Sequence, residues 1–301
     1  MLKERIASLK EALAQVNASE TELNQREDKQ ISLTDPDARS LRTRGTGTVG
    51  YNVQTAVEPK NHLIVSHEVT NQFNDHNQLS PMAIAAKQAM GVDKLDALAD
   101  RGYSKGEEVL ACDEANIDSY VPRPVTSNNK AKGLYEKADF RYIVEDDEYE
   151  CPAGERLQRR TNTYDHGKPI ARYWTLHCGQ CALKQQCATG KERRVSRWVR
   201  DDVLEAMRDR LDRHPQMMRM RRDTVEHPFG TLKRWMGAEH FLTKGLHNTG
   251  TEMSLNVLAY NLKRVMNILG VEGLVQALHA LFIVVIFASR VDLSQSAHEN
   301  A

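Results

Sequence analysis

Long hydrophobic runs are absent from this sequence. The most apolar stretch, residues 280–288, is about half the length that a helix needs to cross a bilayer. The chain opens on Met1-Leu2-Lys3-Glu4-Arg5, which is charged where a secretory signal would build an apolar core. These absences predict a cytoplasmic protein that has no membrane partner.

A net charge is also absent, since Lys plus Arg and Asp plus Glu both number 41. The sum neither demands nor excludes a nucleic-acid partner, because binding depends on where charge is placed. Between residues 191 and 244 there are 14 basic and 9 acidic residues. This local excess surrounds the motif Val225-Glu226-His227-Pro228-Phe229-Gly230-Thr231-Leu232-Lys233-Arg234-Trp235 and favours an anionic partner there.

Cysteines are few, and their number is odd. The chain has 5, which in a reducing compartment argues against a disulfide framework. Cys151, Cys178, Cys181 and Cys187 follow the spacing C-x26-C-x2-C-x5-C. Four thiolates, two of them in a C-x2-C pair, would satisfy tetrahedral Zn²⁺. The alternative is that the cysteines are reduced and structural. Cys112 lies on an apolar helical face and is expected in the core.

A phosphate-binding glycine loop is lacking too. Residues 31–50 are polar and are predicted to form a loop. Within them, Thr43-Arg44-Gly45-Thr46-Gly47-Thr48 has sparse glycines and no following P-loop lysine, so we expect no nucleotide site here.

The sequence does contain clear periodic segments. Apolar residues at heptad-like spacing predict a helix that ends near residue 28 and forms a coiled-coil arm, able to pair with another helix or a second copy. They are Leu2, Ile6, Leu9, Leu13, Val16 and Leu23.

A β-β-α-β-α-β succession follows. Strands are predicted at 51–57 and 63–69, a helix at 78–90 that stops at Gly91, a strand at 95–100, a helix at 105–115 and a strand at 119–122. This order indicates a mixed sheet flanked by helices. Three further helices are predicted at 203–211, 217–223 and 253–265.

Two carboxylates stand out against this pattern. Asp100 follows a buried strand, and Glu226 lies on a late helix. Carboxylates in such positions suit Mg²⁺, which prefers a few carboxylates plus water and substrate phosphates. Phosphoryl transfer on DNA uses two such ions. The alternative is that both residues form local salt bridges with Arg101 and Arg222.

Several motifs follow one another between residues 33 and 270. They are Leu33-Thr34-Asp35-Pro36-Asp37-Ala38-Arg39, Gly50-Tyr51-Asn52-Val53-Gln54-Thr55-Ala56-Val57, Ala99-Asp100-Arg101-Gly102-Tyr103, the cysteine region, residues 225–237 and Ala259-Tyr260-Asn261-Leu262-Lys263-Arg264. In this order they resemble the later part of an IS1182-type transposase, within the broader IS4/IS5-like DDE transposase superfamily.

The resemblance implies an α/β, RNase H-like fold and a two-metal Asp-Asp-Glu site that cuts and joins DNA ends with Mg²⁺ or Mn²⁺. Its second Asp falls on Asp100 and its Glu on Glu226, and both would be metal ligands. A signature Arg and Lys fall on Arg222 and Lys233, whereas the signature tyrosine position is Arg219 here. Arg222, Lys233 and Arg234 would bind DNA. A bacterial, nucleoid-associated location follows from the same resemblance.

The first catalytic Asp is not identified. No apolar strand that ends in Asp precedes Leu33; Asp35 and Asp37 are weak substitutes with an expected capping or turn role. We therefore expect a transposase that is truncated at its N-terminus, lacks its first strand and is catalytically impaired. The alternative is a non-catalytic DNA-binding or regulatory module whose insertion is stapled by zinc.

The predicted organisation has five parts. These are a helical coiled-coil arm (1–30), the first part of the catalytic domain (31–123), a Cys-rich insertion (124–195), a helical part that carries the Glu (196–268) and a tail (269–301). A homo-oligomer or coiled-coil partner is expected besides DNA. Within the Glu motif, Phe229 and Trp235 are expected to pack in the core, and His227 to be structural or to orient a phosphate or water.

Overall fold

The structure is a computed structural model. It describes residues 2–26, 28–43, 46–124, 128–165 and 167–298, with the side chains of 2, 42, 43, 46 and 281–298 outside that description. The chain divides into two compact units. Unit 1 comprises Met1–Asp93 and Met218–Ala301, and unit 2 comprises Lys94–Met217. Each unit has its own hydrophobic core.

The labelled elements, in chain order, are α1 (Leu2–Gln25), β1 (Arg39–Thr43), β2 (Thr46–Gly50), β3 (Asn52–Val57), β4 (Ile64–Thr70), α2 (Leu79–Met90), β5 (Leu95–Leu98), α3 (Gly106–Glu114), β6 (Ile117–Tyr120), β7 (Arg141–Ile143), β8 (Glu148–Glu150), β9 (Arg156–Asp165), β10 (Lys168–Trp174), α4 (Lys184–Cys187), β11 (Val195–Trp198), α5 (Asp201–Arg213), α6 (Gln216–Gly230) and α7 (Leu246–His298). A π-helical turn, Thr231–Trp235, follows α6 directly.

The core of unit 1 lies against the antiparallel hairpin of β3 and β4. Both α2 and α7 pack on β4, because its buried Ile64 and Val69 need apolar partners. α7 supplies them on one helical face, from positions three and four residues apart. The core residues are Ile64, Val69, Leu232, Met253, Val257 and Tyr260.

Helix α2 confirms the predicted segment and its stop. Its buried Leu79, Met82 and Ala86 recur at helical spacing. At Gly91 the chain enters the left-handed region with φ of 61°, and the Gly91 N–H caps the Gln88 carbonyl. Glycine takes this conformation without the steric cost that a Cβ would impose.

Helix α7 changes direction at Gly270, where φ is 73° and ψ is 166°. The predicted helix at 253–265 lies within its first segment. Within the described residues, no helix is both long and apolar enough to span a membrane. The side chains of the apolar run at 281–288 lie outside the described residues.

Unit 2 combines a parallel strand pair with an antiparallel sheet. β5 and β6 pair in parallel, and the connecting α3 packs on β6, as does α5. Cys112 on α3 is fully buried, as expected, and burial raises the pKa of its thiol to about 12. The second sheet has the order β11-β10-β9-β8-β7, with a core of Phe140, Tyr149, Leu157, Ala171, Tyr173 and Val195.

A buried cation fixes the edge of that antiparallel sheet. The Arg197 guanidinium lies 3.7 Å from the centroid of the Tyr142 ring. It also donates two hydrogen bonds to the Glu205 carboxylate. This planar, forked geometry suits Arg and would not be reproduced by Lys. The contacts tie β11 to α5 within unit 2.

The mixed α/β class is confirmed, with three departures from the predictions. The β-β-α-β-α-β order holds, but among the described residues β3–β4 and β5–β6 are separate pairs rather than one mixed sheet. Each pair buries its apolar face against its own helices. Residues 31–50 are not all loop, since β1 and β2 pair there. The Cys-rich insertion at 124–195, for which no strand was predicted, contains most of a five-stranded sheet.

Candidate functional site

The segment around Glu226 is one helical stretch of unit 1, formed by α6 and the π turn. Arg222 and Glu226 are exposed and, being four residues apart, share one face of α6. Lys233 and Arg234 are exposed in the π turn. The structure therefore presents the carboxylate and three predicted DNA-binding cations on consecutive solvent-facing turns.

Pro228 lies inside α6 and is fully buried. Proline has no N–H, so the Thr224 carbonyl four residues earlier loses its intrahelical donor. The ring nitrogen Nδ1 of His62 lies 3.3 Å from that carbonyl oxygen. Because a carbonyl only accepts, His62 must carry its hydrogen on Nδ1 to make this bond. Histidine thus replaces the missing helical hydrogen bond.

His62 also positions His227. The two rings stack with centroids 5.1 Å apart and planes at 28°. The Tyr260 hydroxyl donates to the His62 carbonyl oxygen at 2.8 Å, so His227 Nδ1, 3.3 Å from the same hydroxyl, acts as donor to it. Desolvation, the Arg264 guanidinium and His62 hold the pKa of His227 below its usual value.

The turn between β3 and β4 is built around the Glu58 carboxylate. This group accepts backbone N–H bonds from Lys60 at 2.8 Å, Asn61 at 2.7 Å and Leu63 at 3.2 Å. His62 adopts a left-handed conformation with φ of 57°. The turn is thereby held in the shape that presents the His62 ring to α6.

Helix α7 holds this turn from the other side. Asn261 donates to the Ile64 carbonyl at 2.8 Å and accepts from the Ile64 N–H at 3.0 Å. Arg264 Nε donates to the Asn61 carbonyl at 2.8 Å. We call Tyr260, Asn261 and Arg264 the turn clamp.

A cavity of about 200 Å³ opens beside the turn clamp. Its lining includes His227, Trp235, Tyr260, Lys263, Arg264 and Asn267. The expectation that Trp235 packs in the core is wrong, since its side chain is 82% exposed. Leu232 is the buried anchor of the π turn, and Trp235, three residues later, is turned to another face of it. Phe229 is half-buried.

Asp100 lies in unit 2, just after β5, at the start of a short 3₁₀ helix, Arg101–Tyr103. Its half-buried carboxylate accepts the Gly102 N–H at 2.8 Å. This is an N-cap arrangement, in which a carboxylate satisfies a free amide. Glu226 lies in unit 1.

Asp35 and Asp37 both cap α7. The Asp35 carboxylate accepts the Gly245 N–H at 3.2 Å and the Tyr51 hydroxyl at 2.7 Å, and Asp37 accepts the Leu246 N–H at 3.0 Å. Burial acts against ionisation of Asp35, but these hydrogen bonds outweigh it and lower its pKa. Negative charge at a helix N-terminus also complements the helix dipole.

The four clustered cysteines line one cavity of about 30 Å³ in unit 2, together with His177. Cys151 begins a tight turn in which the Gly154 N–H donates to its carbonyl at 2.8 Å, and Gly154 has φ of 82°. Burial raises the pKa of the Cys187 thiol against the lowering effect of Arg193, and the three other thiols add to the rise.

These side chains do not amount to an assembled metal centre. Among the described residues, no group of three or more His, Cys, Asp or Glu side chains is arranged to hold a metal ion. The carboxylates at Asp100 and Glu226 supply oxygen ligands of the kind that Mg²⁺ prefers, but a complete ligand set is not formed from the described residues.

Sequence reasoning missed the roles of His62 and of the turn clamp. The motif Tyr260-Asn261-Leu262-Lys263-Arg264 was visible, and so was Pro228 within the Glu226 motif, but the helix predicted at 217–223 ended before the proline. The proline signals an unpaired Thr224 carbonyl, but the sequence does not show which distant side chain supplies the donor.

With this geometry in place, comparison with known proteins gives one match. Residues 150–266 match a family model described as a transposase DDE domain; the match includes Glu226 and the cysteine cluster and leaves Asp100 outside. No curated protein and no solved structure matches the chain. Over residues 150–266 the chain is therefore similar to transposase DDE domains, and the match supports a DDE transposase family.

Proposed function

We propose that this protein is a DDE transposase of an insertion sequence, of the IS1182 type, with an RNase H-like catalytic domain. It would cleave and join DNA at the ends of the element. The observation that carries the proposal is that the transposase match includes Glu226, which is exposed on α6 with Arg222 on the same face. Such a protein would act on DNA in the bacterial cytoplasm, at the nucleoid.

Asp100 and Glu226 are proposed as two carboxylates of the catalytic site. Transposases of this class use divalent metal ions, and Mg²⁺ or Mn²⁺ would polarise the reacting phosphate when bound. Asp100 is held at the end of β5 by its bond to the Gly102 amide, and Glu226 is open to solvent on α6.

Arg222, Lys233 and Arg234 are proposed to contact DNA phosphates. All three are exposed, and phosphate contacts of this kind give affinity that depends on salt and little on sequence. The exposed Glu226 carboxylate would then lie close to the phosphate backbone of the bound DNA.

We further propose that the chain alone transfers strands poorly. Asp35 and Asp37, the candidates for the first catalytic Asp, cap the N-terminus of α7 through the amides of Gly245 and Leu246. Asp35 is held further by the Tyr51 hydroxyl. We therefore propose that both carboxylates serve to cap α7 and that neither supplies the first catalytic Asp.

The test is Mn²⁺- or Mg²⁺-dependent nicking of supercoiled DNA. Glu226→Gln and Asp100→Asn should each abolish any nicking, because a neutral amide does not replace a charged oxygen ligand. Glu239→Gln and Asp202→Asn, exposed acids of unit 1 and unit 2 respectively, are matched controls that should nick like the parent. Nicking that survives in Glu226→Gln would refute the assignment of Glu226.

The second candidate is a non-catalytic DNA-binding or regulatory module. The clustering of four thiols around one cavity favours it, because a stapled insertion can serve binding alone. Salt-sensitive DNA binding with no metal-dependent nicking, unchanged by Asp100→Asn and Glu226→Gln, would favour this candidate over the transposase.

We also propose that Cys151, Cys178, Cys181 and Cys187 bind Zn²⁺ as thiolates. Support comes from their shared cavity and from the knuckle spacing of Cys178 and Cys181. Zinc binding would require the thiols to approach more closely than they do here, since they do not form a metal-holding group as they stand.

Zinc content of the purified chain tests this proposal. We expect about one Zn²⁺ per chain, released by a thiol-blocking reagent and lost in Cys178→Ser and Cys181→Ser. Cys112→Ser is the matched control, since Cys112 is buried in α3 outside the cluster. A structural zinc site would be excluded by two results together. The protein, produced with added zinc, would contain no Zn²⁺, and it would unfold at the same temperature with and without a chelator.

Helix α1 supports a proposed oligomer or coiled-coil partner. Ile6, Leu9, Leu13 and Val16 are 46–69% exposed, so their apolar seam is available to another helix.

A further inference from the structure

The cavity beside the turn clamp has an unusual lining for a protein surface. Lys263 and Arg264 contribute two cations, and its lining residues, all within the described part of the chain, include no carboxylate. Trp235 stands at the same cavity with 82% of its side chain exposed. Tryptophan usually buries its large apolar ring, so a ring left open beside two cations calls for a ligand that has both an aromatic face and negative charge.

The cavity is built on fixed groups. Arg264 is held by its bond to the Asn61 carbonyl at 2.8 Å. Tyr260 is fully buried and bonded to the His62 carbonyl. His227 is stacked on His62. The polar wall therefore exists before any ligand arrives, which reduces the ordering cost of binding.

We propose that this cavity binds a nucleotide of single-stranded DNA, with the base stacked on Trp235 and the adjacent phosphate on Lys263 and Arg264. An exposed aromatic platform combined with cations is the arrangement by which proteins bind single strands, because every base has a face that can stack. The choice of DNA rests on the proposed function. The site itself depends only on these residues of unit 1.

Duplex DNA fits these observations less well. Its bases are stacked on each other and present only edges in the grooves, so an exposed Trp235 would find no free base face. Exposed Trp and Arg side chains also occur at protein interfaces, but a cavity whose described lining residues include two cations and no carboxylate favours an anionic ligand. The combination of one ring and two cations thus favours an unpaired nucleotide.

Binding of a dye-labelled single-stranded oligonucleotide, followed by fluorescence anisotropy in EDTA, tests the proposal. Trp235→Ala should weaken binding roughly tenfold, within the usual loss for removal of one stacked base. Trp235→Phe should retain most of the affinity, since a ring remains. Leu242→Ala, at an apolar residue of unit 1 that is 85% exposed, is the matched control and should bind like the parent.

The phosphate contact has a separate readout. Lys263→Gln should reduce the slope of log affinity against log salt by about 0.7, the contribution of one phosphate contact on a single strand. Lys10→Gln, at an exposed lysine of α1, should leave the slope unchanged. An oligonucleotide with one internal abasic position should lose little affinity for the parent, because the neighbouring bases remain able to stack. A fully abasic strand has no base to stack, so the parent should bind it no more tightly than Trp235→Ala binds intact DNA.

Two results would overturn the proposal. One is equal affinity of Trp235→Ala and the parent for single strands. The other is an equal loss on duplex DNA of the same sequence, which would show that Trp235 does not act through an unpaired base. Because EDTA removes divalent metal, the binding result is independent of nicking. Loss of binding in Trp235→Ala by a protein that never nicks would support this site and favour the non-catalytic DNA-binding module over the transposase.

Discussion

At the scale of single residues, Pro228 and His62 form a pair that neither would explain alone. The proline lacks the N–H that would donate to the Thr224 carbonyl. His62 Nδ1, 3.3 Å from that carbonyl oxygen, donates to it instead. The proline is fully buried, so water is a poor substitute for the histidine donor. The stability of α6 near Glu226 therefore depends on a side chain from the β3–β4 turn.

A double-mutant cycle measures this dependence. His62→Ala should lower the free energy of unfolding by about 1–3 kcal/mol, because a buried carbonyl loses its donor. Pro228→Ala restores a backbone N–H, so it should be less harmful, or stabilising, in the His62→Ala background. We expect a coupling free energy of about 1 kcal/mol, measured by urea unfolding. Additive effects of the two changes would show that the Thr224 carbonyl is not shared between them.

His227 predicts a pH dependence. Its pKa is lowered in the folded chain by desolvation, Arg264 and His62, so the unfolded chain binds its proton more readily. The stabilisation from its neutral form is fully present above the unfolded pKa, about 6.5, and is lost as pH falls through the lower folded value. Unfolding free energies measured from about pH 8 to about pH 5, the range in which histidine titrates, should therefore fall towards acid.

In His227→Gln this fall should be smaller. It should not vanish, because burial also lowers the pKa of His67. His240→Gln, at an exposed histidine of unit 1, is the control and should keep the parent slope. A steeper acid loss in His227→Gln than in the parent would contradict the direction of the pKa shift.

At the scale of elements, the turn clamp joins α7 to the β3–β4 turn. Asn261 pairs with both backbone groups of Ile64, and Ile64 is 4% exposed. Asn261→Ala would remove both of these hydrogen bonds from buried backbone groups and should cost about 1–3 kcal/mol of stability. Leu262→Ala, one residue away at a side chain that is 45% exposed, should cost much less. Equal costs in thermal or urea unfolding would mean that the clamp contributes little.

The sequence predicted these elements unevenly, and the reasons are physical. α2 was predicted together with its stop, because the helical spacing of apolar residues such as Leu79, Met82 and Ala85 and a terminal glycine are local signals. β1 and β2 were missed because β2 is rich in Gly and Thr and neither strand shows apolar alternation. The five-stranded sheet was missed because β7 and β8 are only three residues long and β9 is polar and largely exposed, so apolar alternation is weak in these strands.

The residues of the candidate site were also predicted unevenly. Glu226, Arg222, Lys233 and Arg234 were found by motif and are exposed on one helical stretch. Trp235 was misjudged because hydrophobicity predicts burial, whereas its place in the π turn depends on Leu232 occupying the core. His62 and Arg264 act through backbone carbonyls of distant residues, and a sequence does not display such partners.

At the scale of the whole molecule, the candidate functional residues are distributed over the two units. Unit 1 holds Glu226, the turn clamp and the basic cavity, whereas unit 2 holds Asp100 and the cysteine cluster. The net charge of +0 thus conceals a local concentration of cations around α6 and the π turn. Any DNA affinity should accordingly depend on these cations more than on total charge.

Assembly of the molecule should depend on α1. Ile6, Leu9, Leu13 and Val16 are exposed along one seam of this helix, and two such seams would bury each other in a coiled coil. Sedimentation should therefore show association that increases with protein concentration, and Leu9→Glu with Leu13→Glu should shift the chain to the monomer by placing like charges in the seam. Lys10→Gln, off the seam, should associate like the parent. This prediction assigns the pairing of α1 to that seam alone. A parent that stays monomeric at all concentrations would exclude α1 as the pairing surface, and so would a double variant that associates as well as the parent.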